Sequence, residues 1–214
     1  MSSPAPPSAG KEAKNERVRE ILAAALEEFF QQGFAAARLD AIAERAGIGK
    51  GTVYLYFDSK ETLFEEAVRS VILPVLDRIE TVASAPQGSA EMLLRAMIAT
   101  FYREVVATDR RRLLRLLIAE GPRFPRLVSF YHAEVLTRGL TAIRQVLRYG
   151  AERGEFAPSA AHDYPQAVMG PALVGVIWKL LFDEIQPIDL DELCNAHLEI
   201  VLHGLIARPA PRAA

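Results

Sequence analysis

"GIGKGTVYLYFDSKETLF", Gly47 to Phe64, decides how the rest of the chain is read. It places glycine on either side of Ile48, then a run from about Lys50 to Phe57 too short to bury much by itself. Within that run Val53 and Phe57 are four residues apart, the spacing of one helical face. Lys50, Gly51, Thr52, Tyr54 and Tyr56 are left on or near the other side. Asp58 or Ser59 is suited to cap the next helix, with Glu61 placed to answer Asp58 in a capping box.

Working back toward the N-terminus, Leu39, Ile42, Ala43 and Ala46 give a second short helix that Gly47 stops. Before it, Val18, Ile21, Leu22, Ala25, Leu26, Phe29 and Phe30 form one apolar stripe, and Gly33 is placed to end that first helix in a left-handed conformation. Two helices of about seven residues, a glycine-bearing turn and a supporting helix are the parts of a DNA-binding helix-turn-helix. Ala43, Ile48 and Val53 supply the small or apolar contacts between the pair. Lysine neutralises phosphate or donates to guanine, threonine meets a thymine methyl, and tyrosine hydroxyls reach phosphate while the rings cover sugar and base edges. The competing reading of Tyr54 and Tyr56 is that they are packing aromatics, since aromatics at helical spacing usually fill cores.

Composition sets limits on this reading. The chain has 214 residues, half of them hydrophobic, with a net charge of -2 and a pI near 6.1. Residues 11–60 contain eight Lys or Arg and eight Asp or Glu, so affinity for DNA has to come from where the cations sit. One cysteine, Cys194, excludes an intramolecular disulfide framework and suits a reducing cytoplasm, the expected compartment. No secretory leader and no charge-free apolar run long enough to span a membrane is found.

Residues 16–64 resemble the N-terminal DNA-binding domain of the tetracycline-repressor (TetR) family. The resemblance is carried by Gly33-Phe34, Ile42-Ala43, Ala46-Gly47, Gly51-Thr52, Tyr54, Tyr56-Phe57, Ser59-Lys60 and Leu63-Phe64. It implies a dimeric regulator of transcription, usually a repressor, with a helical C-terminal domain that binds an inducer and dimerises. It maps Lys50, Thr52, Tyr54 and Tyr56 to operator contacts and Lys60 to a phosphate contact. Two positions depart from the pattern: Arg38 stands where a hydroxyl residue often starts the second helix, and Gly49 where a serine often caps the third. Arg38 cannot cap but can reach phosphate, and Gly49 caps with a small loss. The expected DNA-binding set is Arg38, Lys50, Gly51, Thr52, Tyr54, Tyr56 and Lys60.

Beyond this segment apolar residues recur at three and four nearly everywhere, so the fold class is all-α with about nine helices. The expected organisation is a Pro-, Ser- and Ala-rich disordered tail over 1–14, the DNA-binding domain over 15–62, a helical regulatory and dimerisation domain over 63–207 and a second disordered tail over 208–214. Pro74 should kink the fourth helix. Met97, Phe101, Tyr102, Leu117, Phe130, Tyr131, Met169 and Trp178 are candidate walls of a ligand cavity, each with core filling as its competing reading. "AEGPRFPRL", Ala119 to Leu127, is similar to a joint in TetR-type regulators that control efflux and hints at a bulky apolar or aromatic inducer.

The segment "DYPQAVMGPALVGVIWKLLF" is apolar around most of its girth, which suggests a subunit interface through Gly170, Ala172 and Gly175, joined by Leu198, Leu202 and Leu205 of the last helix, with burial inside one subunit as the competing reading. Residues 103–126 hold seven arginines against three acids, read as a solvated face or intradomain salt bridges, with a phosphate or anionic-ligand site as the competing reading. His132, His162, His197 and His203 are scattered, no phosphate loop or nucleophile elbow is found, and Cys194 reads as an inert helix cysteine. Neither catalysis, metal nor cofactor is expected. The partners expected are operator DNA, a small-molecule inducer and a second copy of the chain. The competing functions are control through a protein partner without an inducer and, more remotely, a helical enzyme with an appended DNA-binding module.

Overall fold

In the computed structural model residues 9–84, 87–158 and 160–206 are described. Ten α-helices are found among them; α7 and α8 are joined by a π-helical stretch, and counting them as one gives the nine expected. No strand occurs among the described residues, only an isolated bridge between Phe156 and Ile206. The chain divides into two compact units, one formed by the described residues through Ile72 with Leu116–Val128, the other by Leu73–Arg115 with the described residues from Ser129 on.

The first unit contains α1 (Ala9–Ala36), α2 (Leu39–Arg45), α3 (Lys50–Tyr56) and the first half of α4 (Lys60–Ser84). Helix α1 begins inside the stretch read as tail, where Lys, Glu and Ala are good helix formers; residues 1–8 and 207–214 lie outside the described residues. At Gly33 the helix breaks with φ +79° and ψ 163°. The positive φ is the one expected, but ψ is extended, so the residue sits in a region open to glycine alone. Beyond that break Phe34 turns into the core, where its ring centroid lies 5.6 Å from Phe29, 5.6 Å from Phe64 and 4.8 Å from Phe124. Ile21, Ala25, Ile42, Val53, Leu63 and Val68 complete a fully buried interior.

The turn between α2 and α3 is a Schellman motif. Gly47 N–H donates to Glu44 (3.0 Å) and Ile48 N–H to Ala43 (3.0 Å), with Gly47 at φ +66°. That pair of bonds satisfies carbonyls α2 would otherwise leave open, and it sets the angle at which α3 leaves. Helix α4 is capped by Ser59, whose Oγ accepts from Thr62 N–H at 3.1 Å and lies 2.9 Å from the Thr62 hydroxyl. The Asp58–Glu61 box is therefore replaced by a serine–threonine cap one residue later. Helix α4 continues through Pro74 to Ser84.

The second unit packs the rest of α4, α5 (Ala90–Phe101), α8 (Thr137–Glu152), α9 (Gln166–Leu181) and α10 (Leu190–Leu205) around Leu94, Ile98, Ala142, Leu147, Ala172 and Leu202. Helix α6 (Arg112–Glu120) and α7 (Pro125–Tyr131) straddle the boundary between the units. Five-residue π-helical stretches follow α5 (Tyr102–Val106) and α7 (His132–Leu136). Arg138 on α8 ties to α4 through a bidentate pair with Glu80 (2.7 Å to each oxygen) and a third bond to Asp77 (3.0 Å).

Candidate nucleic-acid interface and ligand cavity

Helix α3 is anchored from one side only. Val53 is fully buried and Phe57 nearly so, whereas Tyr54 is 51 % and Leu55 83 % exposed. Lys50 and Gly51 are also exposed, and Thr52 and Tyr56 are half-buried, with the Tyr56 ring 6.4 Å from that of Phe57. Tyr54 as a packing aromatic is thus excluded, while Tyr56 divides itself between the core edge and the surface. Gly49 caps the helix without any side-chain bond. Leu55 is not among the expected contacts; a leucine flanked by two tyrosines reads as core, and only the tight phase set by Val53 and Phe57 turns it outward.

Cations border this face unevenly. The Arg38 guanidinium pairs with Asp40 at 2.7 Å, and the Lys50 ammonium lies 3.9 Å from the same carboxylate. The hydrogen bond from Arg38 holds the Asp40 carboxyl below its ordinary range, and Asp40 in turn raises the guanidinium. One carboxylate thus gathers two cations at the start of α2 and α3. Lys60 is used differently: its ammonium donates to the carbonyls of Ala35 (3.0 Å) and Ala37 (3.1 Å) and lies 4.9 Å from the centre of the Phe34 ring. It satisfies carbonyls left open where α1 ends, so two of its three donors are engaged within the fold.

In the second unit a cavity of about 350 Å³ opens beside α4, α5, α8 and α9. Of the candidate wall residues, Met97, Phe101, Tyr131 and Met169 line it. Tyr102, Leu117, Phe130 and Trp178 do not. Tyr102 is one residue further round its helix and packs against His197 of α10, the ring centroids 5.8 Å apart. Leu117 falls in the first unit, and Phe130 is buried without reaching the cavity. Trp178 is more than two turns beyond Met169 on α9, with its indole N–H on the Gln186 carbonyl (2.8 Å) and its ring against Phe182. The walls that sequence reasoning missed include Leu76, Ile79, Gly139, Leu140, Ile143 and Gln166. Phe101 borders one π-helical stretch, and Val135 and Leu136 lie in the other, a helix form that recurs at functional sites.

Two family models match the chain: the one described as bacterial regulatory proteins of the tetR family covers residues 21–67, and the tetracyclin repressor-like C-terminal domain covers residues 85–194, half of the chain. The chain belongs to the TetR family. Among relatives of this TetR-family regulator, the HTH-type transcriptional regulator SrpR of Pseudomonas putida is 31 % identical over 145 residues, spanning 67 % of this chain and 65 % of SrpR. The HTH-type transcriptional repressor KstR2 of Rhodococcus jostii is 28 % identical over 208 residues, 94 % of this chain and 96 % of KstR2. Among solved structures, the transcriptional regulator FadR of Bacillus subtilis in complex with stearoyl-CoA has a TM-score of 0.70 at 22 % identity, covering 87 % of this chain and 98 % of that one. At that identity the last match shows a common fold.

The faces of α9 and α10 in this TetR-family chain differ from expectation. Ala172, Gly175, Leu198, Leu202 and Leu205 are buried inside the protomer, and Gly170 lines the cavity. A Cβ on Gly175 would stand 3.1 Å from Leu193 of α10, so this glycine permits close approach of two helices of the same chain. His197 Nε2–H donates to the Val168 carbonyl at 2.7 Å across the same seam. Ala172, Gly175, Leu198, Leu202 and Leu205 are thus used in packing within the protomer. The apolar side chains that α9 leaves in water are Leu173, Val174, Ile177 and Leu181, with Ile200 on α10. No helix among the described residues is long and apolar enough to cross a membrane.

Proposed function

We propose that this TetR-family regulator is a homodimeric repressor whose α3 helices enter successive major grooves of a palindromic operator and whose cavity accepts the inducer. The observation that carries the reading is the one-sided anchoring of α3. Lys50, Thr52, Tyr54 and Tyr56 form the contact set, Arg38 and Lys50 meet phosphate, and Leu55 is added as an apolar contact for a thymine methyl.

A two-fold pair places the recognition helices about 34 Å apart for neighbouring turns of B-DNA. The exposed α9 stripe of Val174, Ile177 and Leu181 replaces the buried residues as the pairing surface. Helix α4 is common to both units and contributes Leu76 and Ile79 to the cavity, so it is the element through which occupancy is felt at α3. A hundredfold loss of operator affinity requires the inducer to favour the non-binding state by about 2.7 kcal/mol.

Operator selection from fragments of the source genome, followed by footprinting, tests the reading. A protected palindrome bound by dimers supports it. Dimers that bind no fragment better than random duplex, or a monomer in sedimentation at micromolar concentration, overturn it.

A further inference from the structure

The walls of the cavity also specify the chemistry of what enters it, an inference that rests on the cavity being the effector site. None of its lining residues is Asp, Glu, Lys, Arg or His. Its polar side chains are Gln166, at the first turn of α9, and Tyr131, whose phenol burial pushes up to about 12, so that it stays a neutral donor. Of the Asp, Glu, Arg and His residues adjacent in sequence to wall residues (Asp77, Arg78, Glu80, His132, Glu134, Arg138 and Arg144), Asp77 and Glu80 pair with Arg138 at 2.7–3.0 Å and Arg78 pairs with Glu104 at 2.9 Å. Arg138 holds the Glu80 carboxyl below its ordinary range, so that pair is committed within the fold, and no charged side chain is itself part of the wall. An ionic group drawn into such a space loses hydration and gains no partner.

Shape narrows the class further. Gly139 on α8 and Gly170 on α9 present bare backbone to the cavity, and a Cβ on Gly170 would meet nothing within 4 Å. The space therefore admits a ring against the α9 wall. We infer that the effector is a compact, uncharged, mostly hydrocarbon molecule with one or two hydrogen-bonding groups, received by Gln166 and Tyr131.

Three bicyclic probes of one skeleton separate the possibilities: 2-naphthol, 2-naphthoate and (2-naphthylmethyl)ammonium. Each is titrated calorimetrically at pH 7 into the full chain and into Gly170→Leu, with Gly139→Met on α8 as a second filler. The expected result is that naphthol binds at least tenfold more tightly than either ion, and that a filler variant retaining its helical circular dichroism and melting point loses that binding at least tenfold. If an ion binds as tightly as naphthol and the fillers abolish it, the neutral class is wrong while the cavity remains the site. If no probe binds, or folded fillers bind naphthol like the wild type, the inference fails together with the assignment of the cavity.

Discussion

Replacing Lys60 by methionine separates a lysine that ties the fold from one that holds DNA. The substitution keeps the length of the side chain and deletes the ammonium, removing the bonds to Ala35 (3.0 Å) and Ala37 (3.1 Å) and the approach to the Phe34 ring. A hydrogen bond to a charged group contributes about 1.5–3 kcal/mol when well shielded, and less at this half-buried position. Two such bonds plus a weak cation–π contact come to about 2 kcal/mol. For a chain of this size the melting point should fall by roughly 4–8 °C. Differential scanning calorimetry gives the first number, and fluorescence anisotropy on a random duplex at several salt concentrations gives the second. The dependence of log affinity on log salt should keep its slope, because Lys60 has two donors engaged within the fold. An unchanged melting point together with a slope shallower by about 0.9, the share of one neutralised phosphate, would refute the tie and restore Lys60 as a DNA ligand.

Phe34→Ala removes the ring shared by Phe29, Phe64 and Phe124 and should cost the first unit about 3–5 kcal/mol, seen as loss of duplex binding and an early transition in urea. His197 is buried with Nδ1 lacking a hydrogen-bond partner, and burial lowers its pKa despite the bond to Val168. The unfolded chain therefore binds the proton more readily, so stability is full above the ordinary histidine value of about 6.5 and is lost as pH falls below it toward the depressed folded value. Melting points between pH 7 and 5 should fall more steeply for the wild type than for His197→Phe; parallel curves would show that His197 does not titrate in this way.

The DNA-binding unit is legible in sequence because its signals are local. Gly47 and Ile48 close a turn whose bonds span five residues, and Val53 and Phe57 fix the phase of a helix only seven residues long. The resemblance maps Lys60 to a phosphate contact, while its bonds to the carbonyls of Ala35 and Ala37, more than twenty residues away, leave no local trace in the sequence. The regulatory unit resists reading for a different reason. Helix α9 is apolar on every side, so its sequence does not say that Ala172 and Gly175 face α10, that Met169 and Gly170 face the cavity, or that Val174 and Ile177 face water. Phase in such a helix is set by neighbours on α5, its π-helical extension and α10, and a single stretch of sequence holds no record of them. Tyr102 and Phe101 make the same point, since adjacent residues on α5 and its π extension serve the core and the cavity respectively.

Operator affinity of Tyr54→Ala, measured by anisotropy on the selected palindrome, bears most directly on the outward face of α3. Tyr54 is half exposed and its removal opens no space in the core, so the melting point should hold. Affinity for the palindrome should drop roughly tenfold or more, with much smaller loss on random duplex. Wild-type affinity in a folded Tyr54→Ala dimer would contradict the assignment of α3 as the reading helix.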